Sequence, residues 1–188
     1  MTGYAMIDAL SDFTARMDKL RIPYMVTGSF AMNPYVPART TMDVDVILEI
    51  NAGDESRIES ALAGDYYVNA NSIRRALGDE SMFNVINNKE AVKIDCIVRK
   101  SSAFEKAKFE RRLKKTIFRV DFWVISKEDL ILSKLRWAAE TVSERQFEDI
   151  RALVESGVDQ PYIDEWLSRE QLTNVWAEFE KWKTRAQK

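Results

Sequence analysis

The sequence predicts an α/β (α+β) chain in which a short, mixed, twisted sheet with flanking helices precedes a C-terminal helical bundle. Three observations lead there. In Asp43-Val44-Asp45-Val46-Ile47-Leu48-Glu49-Ile50 the even positions are all apolar, and in residues 91–98 Val92, Ile94, Cys96 and Val98 form one apolar face, the period of two that marks strands. Ile7, Leu10, Phe13, Met17 and Leu20 instead recur at helical spacing. Beyond residue 125 only helical stripes are found.

In chain order, a helix over 5–20 ends before Pro23, and Tyr24–Thr27 forms a buried strand that stops at Gly28-Ser29, where Phe30-Ala31-Met32 begins a short helix. Pro34 and Pro37 break the chain before the strand at 43–50. Helices follow at 54–63 and 71–77, extended segments at 82–86 and 91–98, a helix at 102–112 and extended chain around 116–125. Ser126-Lys127-Glu128-Asp129 starts the helical part with a capping-box pattern, Asp replacing the usual Glu or Gln. Three apolar stripes follow: Leu130, Ile131, Leu135 and Ala138; Phe147, Ile150, Leu153 and Val154; Leu172, Trp176 and Phe179. Pro161 separates two of these helices, and Trp166, Trp176 and Trp182 are expected in the core. The expected division is therefore 1–125 as a core domain and 126–188 as a helical region closing a cleft.

Composition removes several chemistries. The 188 residues include no histidine, which excludes histidine bases, triads and histidine zinc sites. Cys96 is the only cysteine, so no internal disulfide or thiolate cluster can form. No apolar run is long enough to span a membrane and the N-terminus lacks a secretory pattern, so the expected setting is cytoplasmic, without a membrane partner. A net charge of −2 gives no global nucleic-acid footprint. Locally, Arg99, Lys100, Lys106, Lys108, Arg111, Arg112, Lys114, Lys115 and Arg119 meet only Glu105 and Glu110. That run is either a solvated face or a track for phosphates.

Asp43 and Asp45, two apart on a strand, point the same way and can converge on one cation, and Asp95 on a later strand can complete the set. Such close carboxylates resist ionising together unless a cation neutralises them. Hard oxygen donors suit Mg2+ (or Mn2+) better than zinc. Gly28-Ser29, separated from Asp43 by thirteen intervening residues, supplies what a phosphate needs: close backbone approach, a hydroxyl donor and the start of a short helix.

The stretch GSFAMNPYVPARTTMDVDVILEI resembles the Gly-Ser and Asp-x-Asp signature of the DNA polymerase beta-like nucleotidyltransferase superfamily. Within it, Arg39-x-Thr41-x-Asp43-x-Asp45 is similar to a small bacterial group that includes the AbiEii-type, toxin-like nucleotidyltransferases, and SKEDLILSKLRWAAETVSERQFEDIRAL over 126–153 resembles their lysine-bearing helix and the helix after it. The resemblance implies a nucleotidyltransferase-type fold. It implies catalytic and metal-holding Asp43, Asp45 and Asp95, and nucleotide contacts from Gly28, Ser29, Arg39, Thr41, Lys134 and Asp149. The implied activity moves a nucleotide from a nucleoside triphosphate to a hydroxyl with pyrophosphate release. The acceptor is expected to be tRNA or another RNA end, with a protein side chain or a small molecule such as an aminoglycoside as the other choice, and a cognate antitoxin as an implied protein partner. The alternative is a non-catalytic nucleotide-binding or protein-interaction module. From the residues alone, Lys134 on the edge of its apolar stripe either snorkels to water or meets a phosphate. Asp149 either joins the site or pairs with Arg145 one turn earlier, and Arg39 either reaches a phosphate or bridges strands. Arg145-Gln146-Phe147-Glu148-Asp149 departs from the toxin-like pattern, which carries a denser Arg-Asp cluster there.

Overall fold

A computed structural model describes residues 3–37, 43–141 and 143–186. Seven strands form one mixed sheet: β1 (Tyr24–Thr27), β2 (Val44–Leu48), β3 (Tyr66–Tyr67), β4 (Met82–Asn87), β5 (Lys93–Val98), β6 (Leu113–Ile117) and β7 (Val120–Val124). Their spatial order is β3-β4-β5-β2-β1-β7-β6. The β2/β5 and β1/β7 pairs are parallel, and β1/β2, β3/β4, β4/β5 and β6/β7 are antiparallel. Eight α-helices are described: α1 (Gly3–Leu20), α2 (Asp54–Leu62), α3 (Ala70–Gly78), α4 (Ala103–Glu110), α5 (Lys127–Thr141), α6 (Glu144–Glu155), α7 (Gln160–Arg169) and α8 (Thr173–Ala186), with a 3-10 turn at Phe30–Met32. The predicted class holds, and none of the described residues after Val124 forms a strand. No helix among them is long and apolar enough to cross a membrane.

Register divides the sheet into two chemically different faces. Val26, Val46, Cys96 and Phe83 lie side by side on one face, with Ile94 and Val85 in the neighbouring row. All are buried, as are Leu10, Phe13 and Met17 of α1, Ile58 and Leu62 of α2 and Ile73 of α3. α1 packs on β7 and α2, and α3 on β4 and β5, so the alternation in sequence becomes one continuous core. Cys96 sits fully buried within it, the fate expected of a lone small thiol. The other face carries Thr27, Asp45, Asp95 and Asn84 in one row, and Met25, Ile47, Ile97 and Met82 in the next.

Two local features depart from expectation. The extended segment around 116–125 is a hairpin of β6 and β7 whose two turn residues, Phe118 and Arg119, have φ of 48° and 70°. Positive φ at both positions is the type I′ arrangement that suits strand twist, but Phe-Arg lacks the Asn-Gly signal that announces it. The short strand Tyr66–Tyr67 was also not foreseen; it pairs with β4, while the Tyr66 hydroxyl bonds the Ala9 carbonyl and Asp12 of α1 at 2.9 Å each.

The helical region is tied to α4 and the sheet by buried ions. At the start of α5, Ser126 Oγ accepts from the Asp129 backbone N–H (3.2 Å) and donates to the Asp129 carboxylate (2.6 Å). The other half of a capping box is replaced by tertiary bonds, since Asp129 also accepts from the Tyr162 hydroxyl of α7 (2.7 Å) and from Arg111 (3.3 Å). Arg111 stacks on the Tyr162 ring at 3.7 Å. Trp166 is buried against Phe104, and Trp176 and Trp182 are partly buried around Phe179, so the three tryptophans join the core as expected. Asp129 is fully buried, and Asp129→Ala leaves Arg111, Ser126 and Tyr162 without their shared acceptor. The expected loss of stability is about 3–5 kcal/mol in urea denaturation. A loss below about 1 kcal/mol would show that this carboxylate does not hold α7 in place.

Candidate functional site

β1 ends at Thr27 and is followed by Gly28, whose φ of +67° places it in the left-handed region. A second constraint acts on the same residue: a Cβ at this position would lie 1.9 Å from Asp45 Oδ2. Only glycine lets the turn pass so close to that carboxylate. Ser29 follows and caps the 3-10 turn at Phe30–Met32 without a side-chain cap bond. The turn and the strand are thus packed into one corner, as the spacing of Gly28-Ser29 and Asp43-Val44-Asp45 implies.

Asp45 and Asp95 are direct register partners on adjacent parallel strands, and Thr27 stands opposite Asp45 on the other side. Burial first, then the charges of Asp95 and Asp43, push the Asp45 carboxyl up from 3.8 to about 6; Lys134 and then Lys93 oppose that shift. These groups therefore share one electrostatic neighbourhood. Lys93 bonds Asp95 Oδ2 at 2.9 Å and approaches Asp43 Oδ1 at 3.7 Å, and both contacts raise its own pKa, the Asp95 hydrogen bond most. Asp95 Oδ1 is buried with no hydrogen-bond partner among the described residues.

Lys134 and Asp149 are both buried and form an ion pair of 2.6 Å between α5 and α6, with Gln146 3.3 Å from the ammonium. Lys134 therefore does not snorkel to water. Asp149 is connected to the carboxylate corner through Lys134. Arg39 and Thr41 lie outside the described residues. Sequence reasoning assigned no role to Lys93, although the alternation of β5 already put it on the Asp95 side.

A cavity of about 240 Å³ lies on the same face of the sheet, one row from the carboxylates. Thr27, Ile47 and Ile97 line it from the sheet, Phe104 from α4, and Ser133 and Arg136 from α5, the helix that carries Lys134. Arg136 pairs with Glu105 and Glu170 and stacks on Phe104. Of the basic run at 99–119, Lys108 is buried, Arg99, Arg112 and Lys115 are half-buried, and Lys100, Lys106, Arg111, Lys114 and Arg119 are exposed. Arg99 pairs with Glu49, Lys108 with Glu105 and Arg111 with Asp129, while Arg112 stacks on Phe109 and Trp123.

The donor set fits a hard divalent cation on two observations: a carboxylate, Asp45, whose proton affinity is raised by burial and then by its acidic neighbours, and a buried Asp95 oxygen lacking a partner among the described residues. As placed, no three His, Cys, Asp or Glu side chains among the described residues are gathered at metal-holding distance. Lys93, 2.9 Å from Asp95 Oδ2 and 3.7 Å from Asp43 Oδ1, stands on oxygens that a cation would take.

Because the folded value of Asp45 lies above its ordinary one, the native state holds this proton more tightly than the unfolded chain, and ionisation removes stability as pH rises from 3.8 through about 6. Asp45→Asn is therefore expected to stabilise the metal-free protein at pH 8 by up to about 3 kcal/mol and hardly at all at pH 4, measured by urea denaturation. Equal effects at both pH values would contradict a carboxyl held up by burial and by its acidic neighbours. Gly28→Ala, combining positive φ with overlap on Asp45, is expected to cost about 2 kcal/mol or more in the same assay.

A family model described as "Nucleotidyltransferase of unknown function (DUF6036)" matches residues 5–187. No curated protein matches the chain. Among solved structures, the solution structure of the antibiotic-resistance factor ANT(2'')-Ia aligns at TM-score 0.56 and 14% identity, covering 99% of this chain and 97% of that one. ANT(2'')-Ia in complex with adenylyl-2''-tobramycin aligns at TM-score 0.56 and 15% identity, over 93% of this chain and 97% of that one. The lincomycin-bound lincosamide antibiotic adenylyltransferase LnuA aligns at TM-score 0.52 and 13% identity, over 81% and 96%. At such identities the likeness is one of fold. With the family match spanning nearly the whole sequence, the chain belongs to the DUF6036 nucleotidyltransferases.

Proposed function

We propose that this nucleotidyltransferase moves a nucleotide from a nucleoside triphosphate to a hydroxyl of a small-molecule acceptor, using Asp43, Asp45 and Asp95. The observation that carries this reading is the row Thr27–Asp45–Asp95 with Gly28 pressed against Asp45, which puts a phosphate-compatible turn beside clustered hard oxygens. Gly28 and Ser29 hold the triphosphate, with Arg39 and Thr41 reaching it from the segment before β2. Lys134, oriented by Asp149, supplies positive charge to the phosphates. Asp43, Asp45 and Asp95 would hold Mg2+ (or Mn2+), which when bound neutralises charge on the triphosphate and on the departing pyrophosphate. The acceptor oxygen attacks the α-phosphorus as the bond to the β-phosphate oxygen breaks, and the hydroxyl proton passes to Asp95. Residues 126–188 act as the helical region that closes the cleft over the core of 1–125.

A small acceptor is favoured over tRNA or another RNA by two observations. The cavity of about 240 Å³ adjoins the carboxylates, and three of the basic side chains that would track a nucleic-acid backbone, Arg99, Lys108 and Arg111, are engaged in ion pairs. The cavity is smaller than the roughly 300–1,000 Å³ of sites for drug-sized ligands, so it takes the reacting end of the acceptor. Neighbours in fold named for adenylylating aminoglycosides and lincosamides fit the same class. The narrower likeness to AbiEii-type toxin-like proteins, with a cognate antitoxin as partner, is supported by the Arg39-x-Thr41-x-Asp43-x-Asp45 spacing and by Lys134 and Asp149.

The test supplies each α-labelled nucleoside triphosphate with Mg2+, a panel of hydroxylated small molecules and, separately, total tRNA. Label is expected in a small molecule, with the rate reduced by about 10²–10³-fold or more in Asp45→Asn. Label in tRNA alone would overturn the acceptor class, and undiminished transfer by Asp45→Asn would overturn the site.

A further inference from the structure

On the carboxylate face, β2 and β5 run parallel in register, with Val44 beside Ile94 and Asp45 beside Asp95. Carried one step back, that register sets Asp43 beside Lys93. Four ionisable side chains therefore form a two-by-two block at the sheet end: Asp43 and Lys93 in one row, Asp45 and Asp95 in the next. Strand residues two apart share a face, so all four project to the same side.

Lys93 has a single positive charge against three negative ones, and it reaches two of them, Asp95 Oδ2 at 2.9 Å and Asp43 Oδ1 at 3.7 Å. Its own side chain is 39% exposed, whereas that of Asp95 is 10% exposed. An ammonium on a flexible four-carbon stem, open to solvent on its outer side, can leave without disturbing the core. A divalent cation engaging Asp43 and Asp95 competes with it for the same oxygens.

We propose that Lys93 is a built-in counter-cation of the Asp43–Asp45–Asp95 cluster, displaced when a divalent metal binds, so that this lysine sets the metal affinity of the site. The inference rests on the metal-site reading above and extends it by making metal entry an exchange of cations. Lys93 is a positioning residue in the metal-free protein, holding Asp95 in place through its Oδ2. Its departure with the arrival of metal frees that oxygen. An isolated ion pair at such exposure contributes little to stability, so its effect belongs to binding.

The experiment titrates the 188-residue chain with Mn2+ alone, without nucleotide, reading free Mn2+ by electron paramagnetic resonance, for wild type, Lys93→Met, Lys93→Arg and Asp45→Asn. Lys93→Met is expected to bind Mn2+ about tenfold more tightly, as removal of a competing ion interaction near 1.4 kcal/mol gives. Lys93→Arg, which keeps the cation, should stay near the wild-type affinity. In thermal denaturation without metal, Lys93→Met should unfold near the wild-type temperature, so that its gain in Mn2+ affinity does not come from a change in stability. If Lys93→Met binds Mn2+ no more tightly than wild type while Asp45→Asn abolishes binding, the metal site stands and the counter-cation role is overturned. If Asp45→Asn binds as well as wild type, or nothing binds Mn2+, the metal-site reading itself is overturned and the inference with it.

Discussion

Repulsion among carboxylates is the constraint around which this fold's functional corner is arranged. The in-register pairing of β2 with β5 forces Asp45 and Asp95 together, and the two-residue strand period brings Asp43 to the same side. Asp43 stays exposed, but burial of Asp95 and of most of Asp45 removes screening water, and the Asp45 carboxyl, raised by burial first and then by its neighbours' charges, holds its proton up to about pH 6. A protein selected only for stability would replace such a group with an apolar residue. Strain of this kind is expected where function needs clustered charge.

The neighbouring elements offset that repulsion from different directions. Lys93 approaches from within the sheet, and Lys134 from α5. Lys134 is itself buried, and it is tolerated there because Asp149 on α6 meets it at 2.6 Å. The helical region is thus coupled electrostatically to the strand corner. Asp129 acts at the first turn of α5, gathering Ser126, Arg111 and Tyr162 so that α5, the end of α4 and α7 keep a fixed relation.

Ion pairing of basic side chains shapes the surface. A run that is strongly cationic along the chain has Arg99, Lys108 and Arg111 bound to Glu49, Glu105 and Asp129. Arg112 lies over Phe109 and Trp123. One-dimensional charge density is therefore a poor guide to surface potential in this segment, because carboxylates distant in sequence arrive to meet it.

Sequence by itself determined the elements whose cause is local. Period-two alternation fixed β2 and β5 and which of their faces carries Asp43, Asp45 and Asp95. Helical spacing fixed α1 and the three C-terminal stripes, and the Ser126–Asp129 pattern marked the start of α5. The Gly28-Ser29 turn and the carboxylate set were legible because their identity and spacing carry the chemistry, and a resemblance of motif pointed to the nucleotidyltransferase fold. Tertiary structure decided whatever depends on which strands become neighbours. The strand order, the register that sets Asp45 beside Asp95, and the closeness that permits only glycine at position 28 are consequences of pairing between distant segments. The Lys134–Asp149 bridge and the pairs of Arg99 with Glu49 and Arg111 with Asp129 are of the same kind, since they require partners that the chain brings together only on folding. The Phe118-Arg119 turn also escaped the sequence, because strand pairing imposed its positive φ on residues that do not favour it.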